Sequence, residues 1–439
     1  MIPGERSCLA NSLWTATANP SERFPRLTEP NLVADVAIVG AGITGLSAAV
    51  HLGQLGVRAV VLDAQAPGWG ASGRNGGQVL PGLKEDPDTI ERMLGSEIGK
   101  RMVQVSGNGP DEVFDLIAQH GIACDPVRAG WIQPAHSAPT LAASVERVRQ
   151  WQERGVAIEA LSRETVTRLL GTDAYIGGAL DHRAGSIHPL NYCLGLAATA
   201  TRSGIRICSD SPVTAIERAP IGAGYRLTTP QGAVQANQVL VCTNGYTPDV
   251  FGALRRSVVP VCSVQVATSP LAPALRQQAL AAGQVVSDMY RLLAYYRFDA
   301  QGRLLIGVRG AYGRSGILRQ MQRARLRAAE LFREVLGELT WEFAWGGNVA
   351  ITRDHFPRLN RLRDGVYSAV GYNGRGIAMA TVLGRILAQK ACEMHDDDLD
   401  FPVTPVAPIA LHSLHRLAVG SAVAWNGLLD RKERKRAAS

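Results

Sequence analysis

The 439 residues exceed what one hydrophobic core usually serves, so two domains, or one with a large insertion, are expected. Hydrophobic content of 46% with 19% charge excludes a disordered chain, and no apolar run is long enough to predict a spanning helix. A net charge of +8, dispersed except at the terminal "DRKERKRAAS", argues against nucleic acid as a partner.

The N-terminus "MIPGERSCLANSLW" lacks a basic start followed by an apolar run, so no secretory signal is expected. Seven cysteines (Cys8, Cys124, Cys193, Cys208, Cys242, Cys262, Cys392) are scattered, odd in number and never spaced CxxC. That predicts neither a disulfide framework nor a zinc site, and a cytoplasmic setting. The nine histidines show no HExxH spacing, so no metal is expected.

In chain order, residues 1–31 read as a leader punctuated by Pro20, Pro25 and Pro30. "VADVAIVGAGITG" then reads as a short β-branched buried strand running into Gly40-Ala41-Gly42-Ile43-Thr44-Gly45. Gly40 allows a tight turn, Gly42 lets backbone approach a pyrophosphate, and Gly45 lets the next helix lie close on the strand. "LSAAVHLGQLG" supplies that helix, and "VRAVVLD" a second strand closed by Asp63, placed to accept hydrogen bonds from a ribose diol. NAD and FAD both suit this unit. The next stretch, "GWGASGRNGGQ", favours FAD. Its bare backbone at Ala71, Gly76 and Gly77, with Ser72, Arg74, Asn75 and Gln78, suits a diphosphate and ribityl chain.

Residues 89–120 and 140–154 have helical periodicity. "DHRAGSIHPLNYCLGLAATATRSG" reads as a strand, then a helix with Pro189 in its first turn and Gly204 past its end. Strands follow in "IRICSDSPVTAIERA", "YRLTTPQGAVQ" and "NQVLVCTNGYTP". From about residue 256, "SVVPVCSVQVATSP", "VVSDMYRLLAYYRFDA" and "GRLLIGVRG" alternate as an antiparallel sheet would. An amphipathic helix, "RQMQRARLRAAELFREVLG", comes next. "GVYSAVGYNGRGIAMATVLGRILAQK" then repeats strand, glycine turn and helix, through Gly371, Asn373, Gly374 and Gly376. The segment "LHRLAVGSAVAWNGLL" and its basic tail read as a solvated end or as a peripheral contact with an anionic membrane.

The segments "GASGRNGGQ", "GGALDHRAGSIHPLN", "YYRFDAQGRLLIG", "WEFAWGGNVAITRD" and "GYNGRGIAMATVLGRILA" resemble the D-amino-acid-oxidase-like superfamily of FAD oxidoreductases, and within it the gamma-glutamylputrescine oxidases. The resemblance covers roughly residues 25 to 430. It implies an α/β fold: a Rossmann-like FAD-binding domain (32–92, 185–255, 340–395), a substrate domain on an antiparallel β-sheet (93–184, 256–339) and a C-terminal extension (396–439). It further implies an adenine contact near Val213 and a second FAD turn at Thr243-Asn244-Gly245. At the last glycine turn, Arg375 stands where relatives often carry His. With the first-turn N–H groups of Gly376, Ile377 and Ala378 it would offset charge on reduced flavin. Some relatives bind flavin through a cysteine before the segment like "NVAITRD". Ala344-Trp345-Gly346-Gly347 contains none, so noncovalent FAD is expected.

The implied reaction takes hydride from a C–H beside a neutral amine nitrogen to flavin N5, giving an imine that hydrolyses to an aldehyde or ketone. On "LLAYYRF", Tyr295 and Arg297 share one face and Tyr296 and Phe298 the other. Arg297 is a candidate grip for a carboxylate, Tyr295 and Trp345 candidate pocket walls, and His188 a candidate contact or a core histidine. The implied substrate is a small amine such as gamma-glutamylputrescine, with oxygen as acceptor. An amino- or imino-acid dehydrogenase feeding a quinone, and a flavin-bearing subunit without turnover, are the alternatives.

Overall fold

In the computed structural model, residues 12–219 and 224–438 are described, and Cys8 lies outside them. The first layer grows from strand β1 (Leu32–Val39), whose last four residues are all buried. Such a strand needs a neighbour on both edges. β2 (Ala59–Leu62) pairs with it in parallel on one side and β3 (Ala233–Val241) on the other. Arg206–Cys208 extends the parallel sheet beyond β2, and Val366–Val370 extends it beyond β3. Outer strands complete nine in all.

Helix α1 (Ile43–Gln54) leaves β1 through the predicted turn, and helix α2 (Gly376–Ala391) leaves Val366–Val370 in the same manner. The two helices lie against each other because Gly384 has no side chain. A Cβ there would stand 2.6 Å from the Thr44 carbonyl. Ser47 Oγ seals the contact by donating to the Thr381 carbonyl at 2.7 Å.

The second layer is an eight-stranded sheet. Its first half contains β4 (Val259–Thr268), β5 (Ala294–Phe298), β6 (Leu304–Ala311) and β7 (Trp341–Ile351), all antiparallel to their neighbours within that half. β7 is the edge strand, paired along its length with β4. The sequence reading put residues 340–351 with the nucleotide layer. The structure places them in the second sheet, because alternating Trp, Phe and Val side chains need a β partner.

The period of two sorts this sheet's side chains. Val264, Val266, Tyr296, Ile306 and Val308 pack with Ala324, Ala328 and Phe332 of the long helix Gly313–Leu336. Ser263, Gln265, Tyr295 and Arg309 face the opposite way, toward the first layer. No helix among the described residues is long and apolar enough to cross a membrane, and no cluster of possible metal ligands occurs among them.

Candidate active site

A cavity of about 470 Å³ lies between the layers. Its nucleotide side carries Gly40, Gly42, Ile43, Thr44 and Asp63. Gly40 has φ +107°, where an L side chain is strained, and a Cβ there would stand 2.8 Å from the Cys242 carbonyl. Gly45 does not line the cavity. It backs the turn, since a Cβ would fall 2.0 Å from the Gly40 carbonyl.

Asp63 accepts the Ala41 N–H at 2.6 Å and the Gln65 N–H at 2.8 Å. Burial nonetheless raises its pKa above the ordinary carboxylate value. Further donors, such as a ribose diol, would relieve that desolvation. Ser72 Oγ accepts the Ile43 N–H at 3.0 Å and so stands at the amino end of α1, facing Gly42.

The glycine-rich loop is held from behind by its own carbonyls. Gln265 and Trp345 donate side-chain N–H groups to the Arg74 carbonyl at 2.8 and 2.9 Å. Trp14 donates to the Asn75 carbonyl at 2.8 Å, and Arg297 to the Gly76 carbonyl at 2.7 Å. Asn75 turns its amide inward, accepting the Gly77 N–H and donating to the Ser72 carbonyl at 2.7 Å. The Arg74 guanidinium lies over the Trp69 ring at 4.5 Å. Gly77 has φ +70°, and a Cβ there would meet the Ile187 carbonyl at 2.2 Å. Ala71, Ser72, Arg74, Asn75, Gly76 and Gln78 reach the cavity; Gly77 does not.

Val213, Thr243 and Asn244 line the cavity, whereas Gly245 packs behind it near the Asn348 carbonyl. Asn244 Oδ1 accepts the Gly371 N–H at 2.9 Å, which ties the second turn to the third. Gly371 is thus structural, and Asn373, Gly374, Arg375, Gly376 and Ile377 line the cavity. The amino end of α2 carries no side-chain cap. Arg375 lies over the Trp131 ring at 4.5 Å, and its buried Nε has no hydrogen-bond partner. Burial, then Arg147 and Arg309, pull its pKa down to about 9.

The far wall is Tyr295, Ser263, Gln265 and Arg309. The Tyr295 hydroxyl and Ser263 Oγ are 2.8 Å apart, and burial pushes the phenol up to about 12. Gly307 makes room for this ring, since a Cβ would fall 2.1 Å from it. Arg309 lies against Gly374, where a Cβ would fall 2.0 Å from its Nη2. Its pKa is lowered by burial.

Two expected substrate residues lie elsewhere. Arg297 shares the face of Tyr295 but sits beyond the cavity, donating to the Gly76, Phe298 and Ile187 carbonyls. It lines a separate, smaller cavity and not this one, so it is not placed to grip a substrate carboxylate here. Trp345 is buried between Arg74 and Trp14 rather than in the pocket wall. His188 is a helix cap: Nδ1 accepts the Asn191 N–H at 3.1 Å, so Nε2 carries the proton, 3.0 Å from Thr17 Oγ1. Sequence reasoning missed Arg309, Tyr246, Tyr372 and Trp14. Arg309 had a signal, a lone cation two residues after a glycine on an apolar strand.

The lining therefore fits a dinucleotide: one carboxylate, two glycine turns at helix amino ends and two half-buried guanidinium groups on the opposite end. A family model described as FAD dependent oxidoreductase, DAO, matches residues 35–390. The chain belongs to the DAO family of FAD-dependent oxidoreductases. It is 32% identical over 381 residues to gamma-glutamylputrescine oxidoreductase of Escherichia coli K12, covering 86% of this chain and 88% of that one. In fold it is similar to glycine oxidase from Geobacillus kaustophilus, with TM-score 0.69, 21% identity and coverage of 83% and 96%. It is likewise similar to L-amino acid deaminase from Proteus vulgaris, with TM-score 0.69, 17% identity and coverage of 89% and 97%. In this DAO chain, Gly40–Gly45, Asp63, the Gly68–Gln78 loop and the α2 turn would hold FAD.

Proposed function

We propose that this DAO-family chain oxidises the C–N bond of a small amine that carries a carboxylate, with gamma-glutamylputrescine as the model substrate. Bound FAD supplies the hydride acceptor, flavin N5, and the product imine hydrolyses in water. The protein's part is to orient the reacting carbon and, beside the Tyr295 ring and the Arg309 cation, to keep the amine neutral. The observation that carries the reading is Arg309, a half-buried guanidinium on the substrate wall for which the described residues supply no carboxylate. An anionic substrate group would answer that charge.

Arg309 lies beside the Gly374 turn. This favours a second reading, in which the carboxylate belongs to the reacting carbon itself, as in an amino or imino acid. Oxygen is the proposed acceptor in the first reading and a quinone in the second. FAD is proposed to be noncovalent. Burial raises the thiol pKa of Cys242 on the cavity wall, and the Ala344–Gly347 stretch has no cysteine. A cytoplasmic location accords with five buried, unpaired cysteines.

The test is an anaerobic panel of amines and amino acids, read by bleaching of the flavin. Gamma-glutamylputrescine should bleach it and putrescine, lacking the carboxylate, should not. Arg309→Met should raise KM for the anionic amine about tenfold or more with a smaller change in kcat. A panel with no bleaching at all would overturn the reading. Acid precipitation should release FAD into the supernatant.

A further inference from the structure

Helix α3 (His415–Ala438) presents two unlike sides. Its inner seam is built into the second layer. Val423 fits over Gly310, where a Cβ would stand 2.6 Å away, and Gly427 lies over Leu292. Asp430 is buried and accepts the Leu292 N–H at 3.0 Å. Glu433 accepts from Arg291 at 2.7 Å and faces His136 at 3.2 Å.

At 100° per residue, Leu417, Ser421, Trp425, Leu428 and Lys432 fall within about 80° of one another, opposite that seam. Leu417 is 72% exposed, Trp425 63% and Leu428 51%, with Leu411 and Leu414 exposed just before the helix. An unpartnered stripe of this size marks a contact surface.

Charge identifies what fits it. No acid occurs from Leu411 to Leu429, and the next two acids, Asp430 and Glu433, are both turned inward by the pairs above. Arg431 and Lys432 stand exposed, and the sequence continues with Arg434, Lys435 and Arg436. The outer side therefore carries cations and exposed apolar side chains but no acid. A convex ridge of Leu and Trp flanked by cations suits a soft anionic surface, where a protein partner would have to offer a groove.

We propose that α3 docks this protein on an anionic lipid bilayer, with Leu417, Trp425 and Leu428 entering the headgroup–acyl boundary. The docked helix also holds Arg291 and Leu292, next to Leu293 on the cavity wall, so docking brings that wall toward the lipid. The inference does not depend on the substrate.

The test uses the full-length protein and sedimentation with large vesicles. It should pellet with phosphatidylcholine vesicles containing phosphatidylglycerol, less so at high salt, and stay in solution with phosphatidylcholine alone. The double variant Trp425→Ser/Leu428→Ser should bind about tenfold more weakly or less, with circular dichroism and flavin absorbance unchanged. Lack of sedimentation with the anionic vesicles at low salt would overturn the proposal. So would equal binding to neutral vesicles. A wild-type dimer that the double variant converts to monomer, without vesicle binding, would assign the stripe to a second copy and overturn it as well.

Discussion

Arg297 spends its donors on carbonyls, which predicts a particular pattern of loss. Replacing it by Met would leave the half-buried Gly76 and the buried Ile187 carbonyls unpaired, at a cost of about 3 kcal/mol. The melting temperature should fall by several degrees, and purified protein should carry less FAD per chain. Trp345→Phe keeps an aromatic ring, though a smaller one, and leaves Gln265 on the same Arg74 carbonyl, so the loss should be about 1–2 kcal/mol. A stable, fully FAD-loaded Arg297→Met with only a raised KM would return Arg297 to the substrate. His188 gives a pH test. Burial and then Arg297 pull its pKa down to about 4, below the ordinary value near 6.5. Between those values the unfolded chain binds the proton and the folded one does not, so stability is full above about pH 6.5 and falls toward pH 4. Thermal melts should show a loss of up to about 3 kcal/mol over that window. His188→Asn, which retains a cap, should flatten it. An unchanged slope would mean that His188 is not the group that titrates.

At the scale of elements, the local units and the two-sheet fold class were legible, and the finer placing of residues within them was not. The β1–turn–α1–β2 unit is legible because each part has a local cause: β-branched burial, positive φ at Gly40, and a helix begun at Gly42. Pro189 and Gly204 likewise mark the ends of Pro189–Arg202. Residues 89–120 show the limit. Their apolar period persists, yet Gly95 and the Asn108-Gly109-Pro110 step divide them into three short helices. That Arg309 and not Arg297 lines the cavity was hidden for a related reason. Alternation tells which face a strand residue takes, but which end of that face overlies the cavity is decided by tertiary packing. The same unit yields a prediction that separates fold from cofactor. A Cβ at Gly45 meets the Gly40 backbone at 2.0 Å, whereas one at Gly42 meets only the Ser72 hydroxyl at 2.8 Å. Gly45→Ala should therefore lower the melting temperature with and without FAD. Gly42→Ala should leave the apoprotein's melt nearly unchanged and weaken FAD retention. Equal losses in both would show that the two glycines do not divide these tasks.

For the whole molecule, the cavity is bounded by both layers, and the Gly68–Gln78 loop between them is pinned from each. Ser72 reaches α1 of the first layer, while Gln265, Arg297 and Trp345 belong to the second. Trp14, from the leader segment, adds a third tether, with its ring 5.9 Å from Trp345. A ligand in such a seam binds only when both layers are folded, so its binding energy is shared by both. Saturating FAD should then raise stability by about 4 kcal/mol at a thousandfold excess over Kd. It should do so without splitting the thermal transition in two. Differential scanning calorimetry of apoprotein and reconstituted protein measures both quantities. The expected result is one endotherm that moves upward as FAD is added. Two endotherms, of which FAD moves only one, would show that the nucleotide layer holds the cofactor alone and that the loop does not couple the layers.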